Sequence, residues 1–247
     1  MAQPVAPVAP SAHAEGEGDG LKARLARLAR AALEPVAGLL VRIGVRADYL
    51  TALGLVWSLG AGLAFFEGWF RPAAVLATLA GLCDLLDGQV ARRGGGFSRF
   101  GAFLDSTLDR VGEGFMLAGI AGFYISGLVE LVFDPSLLAA QLARGLEPRT
   151  WAAIALTAVV ALVGSFVVSY TRARAEGLGV ECRTGWCERP ERLAILIIAG
   201  AFGVGPAMPA ALMLLVILSF ATATQRVVHV WRHTRAAGRD SIGGGGI

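Results

Sequence analysis

The sequence predicts an all-α integral membrane protein with six transmembrane helices, preceded by an N-terminal amphipathic helix at the membrane surface. Of its 247 residues, 55% are apolar and only 17% are charged, and the mean hydropathy is +0.61. Soluble domains contain about 45–50% apolar and about 25% charged residues. The 33 glycines agree with this class, because close contact between membrane helices uses small residues.

Six apolar segments are candidates for membrane spans, since a helix needs about 20 apolar residues to cross the hydrocarbon core. They are Tyr49–Phe66, Pro72–Arg92, Phe100–Ser126, Trp151–Arg172, Leu193–Pro206 and Met208–Val230. The fifth is short unless it begins near Arg189. Residues 130–149 are too polar to span, and we expect an extracytoplasmic loop there, with room for a short surface helix.

The segment before the first span has the residue pattern of an amphipathic helix. Leu21, Leu25, Leu28 and Ala32 recur on one helical face, and basic residues flank that face. This pattern favours a helix lying on an anionic cytoplasmic leaflet. A charged helix packed on the bundle is the alternative.

Basic residues are distributed unevenly between the two sides of the six spans. Of the 22 Lys and Arg residues, 18 lie on the side of the termini, three lie on the other side, and Arg110 lies within a span. The positive-inside rule then places both termini in the cytoplasm, as expected for a multi-pass protein of the cytoplasmic (inner) membrane. The net charge of +3 is too small to indicate nucleic-acid binding.

Acidic residues form two stripes on the second and third spans. At about 100° per residue, Asp84 and Asp87 share one helical face, and Asp105 and Asp109 share a face of the next helix, with Glu113 beyond them. The short linker between these spans makes the helices antiparallel, so the stripes can face each other near the cytoplasmic end. We assign no role to Glu113.

Four bare carboxylates inside a membrane would be costly, on the order of 10 kcal/mol in total. Divalent cations would cancel this charge, and carboxylate oxygens suit Mg²⁺, Mn²⁺ or Ca²⁺. Two such ions about 4 Å apart are typical of displacement at phosphorus. Ion pairing with Arg92, Arg99 and Arg110 is one alternative, and a proton or cation relay in a transporter is another.

Eight residues in fixed spacing carry a family resemblance: Asp84, Asp87, Gly88, Ala91, Arg92, Gly101, Asp105 and Asp109. This pattern resembles the complete signature of the CDP-alcohol phosphotransferases. The resemblance implies a six-helix membrane enzyme, usually a homodimer, that transfers a substituted phosphate from a CDP-linked donor to an alcohol and releases CMP. Composition and hydropathy further predict four parts of the chain: a disordered tail over 1–20, a cytoplasmic amphipathic, juxtamembrane segment over 21–46, a six-helix membrane catalytic domain over 47–235 and a flexible tail over 236–247.

The resemblance also implies roles for individual residues. Asp84, Asp87 and Asp105 would bind two divalent cations, Mg²⁺ or Mn²⁺, and Asp109 would share the metal site and act as the general base. The residues expected beside the CDP group are Asp48, Thr51, Gly88, Ala91, Arg92 and Gly101. For Asp48 and Thr51, helix N-capping is the alternative.

The acceptor is expected to carry a phosphate of its own, because four arginines gather at the cytoplasmic mouth: Arg172, Arg174, Arg189 and Arg192. The stretch from Ser169 to Gly179, together with Gly101–Arg110, is similar to phosphatidylinositol phosphate synthases and their archaeal ether-lipid counterparts. That similarity implies CDP-diacylglycerol and inositol 1-phosphate as substrates. Glycerol 3-phosphate is the alternative acceptor. The four arginines could instead reflect only the positive-inside charge bias. A cation-coupled transporter or a catalytically silent membrane scaffold is the alternative class of protein.

Overall fold

A computed structural model describes residues 21–94, 98–143, 147–182 and 184–243, and these residues form eight α-helices and no strand. The helices are α1 (Leu21–Arg42), α2 (Ala47–Phe66), α3 (Phe70–Arg93), α4 (Arg99–Phe133), α5 (Pro135–Ala143), α6 (Pro148–Gly177), α7 (Arg189–Ala201) and α8 (Ala207–Gly243). The disordered tail expected over 1–20 lies outside the described residues, as do residues 244–247. The flexible tail expected from residue 236 overlaps the end of α8 and stays a prediction.

Five of the described helices are long and apolar enough to cross a membrane: α2, α3, α4, α6 and residues Ala207–Arg235 of α8. The protein therefore has the build of a multi-pass membrane protein. The sixth expected span corresponds to α7, which has 13 residues. At 1.5 Å per residue it is about 20 Å long, short of a hydrocarbon core of about 30 Å. Helix length and composition thus support five spans among the described residues, and the sixth stays a prediction.

Six helices pack against one another in a closed ring: α2, α3, α4, α6, α7 and α8. Helix α2 packs against α3 and α4, α4 against α6, α6 against α8, α8 against α7, and α7 against α3. Met116, Leu196 and Leu212 are fully buried in the core that this ring encloses. Helix α7 therefore has a fixed place beside α3, although it is short.

Glycines bring α2 and α4 unusually close together. A Cβ on Gly62 would lie 2.7 Å from the Phe115 carbonyl oxygen, and a Cβ on Gly119 would overlap the Gly62 carbonyl. Such contacts exclude any larger residue at either position. The close approach fixes α4, which carries Asp105 and Asp109, against α2.

Local sequence explains where α4 and α7 begin. The Ser98 hydroxyl accepts a hydrogen bond from the Gly101 backbone N–H at 2.8 Å, as an N-cap residue does. At α7, Glu188 and Glu191 form a reciprocal capping box and Pro190 occupies the first turn. Because of these caps, α7 starts at the residue where the short fifth segment would have to begin.

Helix α1 occupies the segment expected to be amphipathic and continues beyond it to Arg42. It packs against α3, and Arg93 of α3 pairs with the Glu34 carboxylate and also donates to the Glu34 carbonyl. Leu28 and Leu39 remain exposed. The helix thus contacts the bundle and still presents apolar side chains outward, and its place at a membrane surface stays a prediction.

The polar segment expected to be a loop contains the end of α4 and the short helix α5. Asp134 joins them, and its carboxylate accepts hydrogen bonds from the Ser136 hydroxyl and from the backbone N–H groups of Ser136 and Leu137. These bonds favour the ionised form and hold the pKa of Asp134 below its usual range. Helix α4, which contains the third expected span, continues beyond Ser126 and ends at Phe133.

Candidate active site

Three of the four predicted aspartates meet between α3 and α4. Asp84, Asp105 and Asp109 each offer a carboxylate oxygen, and these oxygens all lie within 4.8 Å of one another. All three side chains are partly exposed. The facing acidic stripes expected from the sequence are thus present in the fold.

Asp87 belongs to the same face of α3 but has a different environment. It is only 5% exposed, and its carboxylate accepts a hydrogen bond of 2.9 Å from the Thr51 hydroxyl of α2. The Thr51 hydroxyl also lies 3.2 Å from the Ala47 carbonyl. Asp87 is therefore held against α2, next to the three-carboxylate cluster and not within it.

Arg189 of α7 inserts its guanidinium between two of the clustered carboxylates. Its Nη1 atom lies 2.7 Å from Asp84 Oδ2 and 2.8 Å from Asp109 Oδ2. The alternative reading expected ion pairs from Arg92, Arg99 and Arg110. Instead, the described arginine that bridges the cluster comes from a helix more than 70 residues further along the chain.

The cluster has the donor set that a divalent cation requires. All three residues supply carboxylate oxygens, and Asp105 Oδ1 is buried without a hydrogen-bond partner among the described residues. A buried acceptor with no donor is costly unless a cation or a water faces it. The cationic Arg189 guanidinium shows that this position favours positive charge. These residues therefore fit divalent metal ions.

All six residues expected beside the CDP group line one cavity of about 250 Å³, which we call the first cavity. They are Asp48, Thr51, Gly88, Ala91, Arg92 and Gly101, and Asp84, Asp87 and Asp105 line it as well. The cavity is formed by α2, α3 and the start of α4. Asp48 and Thr51 are not N-cap residues, because the N-cap of α2 is Arg46 and both residues lie inside the helix.

Gly101 keeps one wall of the first cavity open. A Cβ at this position would lie 2.9 Å from the Ser98 hydroxyl oxygen and 3.5 Å from Asp48 Oδ1. The missing side chain therefore lets the start of α4 approach α2 while Ser98 caps the helix. Asp48 pairs with Arg46 at 3.1 Å in an exposed contact, which is worth little.

A second cavity of about 460 Å³ adjoins the first and lies between α4, α6, α7 and α8. Both cavities are lined by Ala102 and Asp105. Asp84 lines the first cavity and Asp109 lines the second. The carboxylate cluster thus lies at the junction of two chambers, in contact with each.

Three of the four arginines expected to bind an acceptor phosphate line the second cavity, and the fourth does not. Arg172, Arg189 and Arg192 contribute to its walls. Arg174 is exposed and is not among the lining residues of either cavity. Arg172 pairs with Glu176 at 2.9 Å and lies 3.8 Å from Glu188.

Arg192 forms a buried ion pair with Glu113, and both residues line the second cavity. Its side chain is 2% exposed and that of Glu113 is 4% exposed. The two nitrogens Nε and Nη2 donate to the carboxylate oxygens at 2.6 and 2.9 Å. This bidentate pair ties α7 to α4 and accounts for Glu113, to which sequence reasoning assigned no role.

Sequence reasoning missed Arg226 of α8, which also lines the second cavity. Its side chain is 2% exposed, and it donates to the carbonyls of Thr184 and Val168 and contacts Glu188 at 3.3 Å. The sequence does contain a signal for this residue, because Arg226 is a single arginine inside an otherwise apolar span. A charge buried in a span is costly, so such a residue is expected to be paired or functional.

Residues 45–232 match the model of the CDP-alcohol phosphatidyltransferase family. The chain belongs to the CDP-alcohol phosphatidyltransferase family. The matched range includes every aspartate of the cluster and the lining of both cavities. The resemblance read from eight residues is therefore confirmed over most of the chain, and the protein is a member of a family of transferases.

Two curated relatives are similar over most of their length. An archaetidylinositol phosphate synthase from Methanothermobacter thermautotrophicus is 35% identical over 207 residues, covering 82% of this chain and 90% of the relative. A phosphatidylinositol phosphate synthase from Streptomyces avermitilis is 36% identical over 231 residues, covering 87% and 86%. The chain thus resembles that branch of the CDP-alcohol phosphatidyltransferases.

Solved structures of phosphatidylinositol phosphate synthase from Mycobacterium tuberculosis share the fold. The form with CDP-DAG bound has a TM-score of 0.64 and 31% identity, covering 83% of this chain and 94% of that one. The complex with manganese and citrate has a TM-score of 0.64 and 32% identity, covering 80% and 88%. This CDP-alcohol phosphatidyltransferase is therefore similar in sequence and in fold to structures of one enzyme type.

Proposed function

We propose that the protein transfers the phosphatidyl group of CDP-diacylglycerol to the hydroxyl of a phosphorylated alcohol, inositol 1-phosphate, and releases CMP. The observation that carries this proposal is the junction of two cavities at one carboxylate cluster. A bisubstrate transfer needs two chambers that meet at the reacting groups, because donor and acceptor must be held in close contact. The curated relatives and the CDP-DAG complex support the identity of the donor.

The first cavity is the proposed site of the CDP group. Gly88, Ala91 and Gly101 leave room for a phosphate to approach the backbone. Arg92 offers its guanidinium at the rim, and Thr51 holds Asp87 in place. Asp48 faces the same space from the start of α2. The likeness to a CDP-DAG-bound structure supports this assignment.

The carboxylate cluster is the proposed metal site. Asp84, Asp105 and Asp109, with Asp87 beside them, would hold two divalent cations, Mg²⁺ or Mn²⁺. When bound, such ions neutralise the negative charge of the pyrophosphate and of the leaving CMP. Asp109 lines the acceptor side of the cluster, so its carboxylate is the proposed general base that takes the proton of the acceptor hydroxyl.

The second cavity is the proposed acceptor site. Arg172 and Arg189 would contact the acceptor phosphate, and Arg226 adds positive charge from α8. Arg192 lines the wall, but its guanidinium is engaged by Glu113, so we propose that it positions α7. A phosphorylated acceptor suits this basic chamber better than a neutral one, because arginine binds phosphate with charge-assisted hydrogen bonds.

The membrane arrangement completes the proposal. Helix α7 with the residues up to α8 would form the sixth span, since α7 packs in the ring between α3 and α8. The excess of basic residues at one side supports cytoplasmic termini and an active site open to the cytoplasm of the inner membrane. The family resemblance supports a homodimer.

Transfer to three acceptors offered in parallel tests this proposal. Purified protein in detergent would receive CDP-diacylglycerol, Mg²⁺ or Mn²⁺, and radiolabelled inositol 1-phosphate, glycerol 3-phosphate or unphosphorylated inositol. We expect a labelled lipid from inositol 1-phosphate alone, and at least about 100-fold less of it from an Asp109→Asn preparation purified in the same way. Product from glycerol 3-phosphate alone would overturn the acceptor, and product from unphosphorylated inositol would overturn the role of the arginines.

A further inference from the structure

A third cavity, of about 370 Å³, lies between α1 and the end of α3, away from the carboxylate cluster. Its lining includes Arg27, Arg30, Arg92, Arg93, Gln89 and Glu34. Two of the arginines come from α1 and two from α3, so the basic residues converge from separate elements. The proposed function assigns no role to this cavity.

Positive charge dominates the third cavity. Glu34 is the one carboxylate among the described residues that line it, and it already pairs with Arg93. Arg30 and Arg92, which also line the chamber, bring further positive charge and N–H donors to it. Such a lining suits an anion with several acceptor oxygens, as a phosphate group has.

Gln89 supplies an independent sign of a missing partner. The residue is 7% exposed, and its Nε2 atom has no hydrogen-bond partner among the described residues. A buried amide donor without an acceptor is costly and calls for a ligand or an ordered water. This donor belongs to the lining of the same basic cavity, so an anion held there would satisfy it.

The surroundings indicate where the anion comes from. Leu28 and Leu39 of α1 are 66% and 59% exposed, and they lie on the helix that forms one wall of the cavity. Apolar side chains beside clustered arginines are typical of a helix lying in a lipid headgroup layer. We propose that the third cavity binds a phosphate group, that of an anionic phospholipid in the surrounding leaflet.

Arg92 connects this site to the catalytic chamber, because it lines both the first and the third cavity. Its guanidinium lies next to Gly88, where a Cβ would be 3.4 Å from Nη1. A phosphate bound between α1 and α3 would therefore contact the same arginine, Arg92, that stands at the rim of the first cavity. The lipid around the protein would in this way act on the CDP side of the site.

Lipid binding by the full chain, which needs no turnover, tests this inference separately from the proposed function. Protein in detergent would be titrated with phosphatidylglycerol or with phosphatidylcholine, and bound lipid would be counted by native mass spectrometry. The decisive variant is Gln89→Leu, which changes no charge and removes an unpaired donor, so the fold is expected to keep its stability. Arg232→Ala, an exposed change on α8, is the control for general electrostatic attraction.

We expect Gln89→Leu to weaken phosphatidylglycerol binding about tenfold, the effect of one hydrogen bond to a charged group. Gln89→Leu should bind phosphatidylcholine as the wild type does, and Arg232→Ala should bind phosphatidylglycerol with the wild-type affinity. If inorganic phosphate competes in the wild type but not in Gln89→Leu, the phosphate site stands and free phosphate can fill it. Equal phosphatidylglycerol affinity of wild type and Gln89→Leu would overturn the inference.

Discussion

Replacing Arg192 with Met should destabilise the protein strongly, because Glu113 would remain buried without its partner. The two side chains are 2% and 4% exposed and are joined by two hydrogen bonds of 2.6 and 2.9 Å. Removing one member of a buried pair costs about 3–5 kcal/mol. For a chain of this size, that loss lowers Tm by roughly 6–20 °C.

Thermal unfolding of the detergent-purified protein measures this effect. The double variant Arg192→Met/Glu113→Leu should regain most of the lost Tm, since an apolar pair replaces the ions without an uncompensated charge. Arg172→Met is the matched control, because Arg172 is half-exposed and its surface pairs are worth about 0–1 kcal/mol. An unchanged Tm of Arg192→Met would refute the role of the buried pair.

The double variant also separates positioning from acceptor binding. If Arg192 only holds α7 against α4, the stable double variant should keep the wild-type KM for the acceptor. If Arg192 contacts the acceptor phosphate, the double variant should unfold at the wild-type temperature and still show a raised acceptor KM. The second result would restore the role that the sequence suggested for this residue.

Three further predictions concern the chemistry. Asp109→Asn should lower transfer by about 100- to 10,000-fold, the contribution of a general base, while CDP-lipid binding persists; equal turnover would exclude Asp109 as the base. Arg172→Ala should raise the acceptor KM about tenfold, as expected for one charge-assisted contact, whereas Arg174→Ala should leave it unchanged; the reverse order would contradict the placement of the two arginines. Treatment with EDTA should abolish transfer, and Mg²⁺ or Mn²⁺ should restore it; full activity in the chelator would contradict the metal site.

The carboxylate cluster was predictable because it depends on local spacing. Asp84 and Asp87 share a face of one helix, and Asp105 and Asp109 share a face of the next, so helical periodicity and a short linker were enough to bring the stripes together. The environment of Asp87 was not predictable in this way. Its hydrogen bond comes from Thr51, which is 36 residues away on another helix.

The arginines show where pattern reasoning stops. Arg172 and Arg174 are two positions apart, so they point about 200° apart on a helix and could not both face one chamber. The spacing of the two arginines in the sequence therefore predicts that only one of them faces the chamber. The burial of Arg192 by Glu113 depends instead on packing across 79 residues, and the entry of Arg226 into the same chamber depends on the contact of α8 with α6.

The membrane spans were predictable where hydropathy and length agree. The fifth segment combines a short apolar run with a charged start, and its helix has 13 residues. Hydropathy alone could not decide whether it crosses. Its start at Arg189 follows from the capping box of Glu188 and Glu191, which is a local sequence signal and does not depend on the membrane.

Coupled measurement of CMP and lipid product tests the central claim most directly. Purified protein would be incubated with CDP-diacylglycerol, inositol 1-phosphate and Mn²⁺, and both products would be quantified in the same sample. The proposed reaction predicts one CMP for each phosphatidylinositol phosphate formed, and no CMP when the acceptor is omitted. CMP release without an acceptor, or no CMP under any of these conditions, would contradict it.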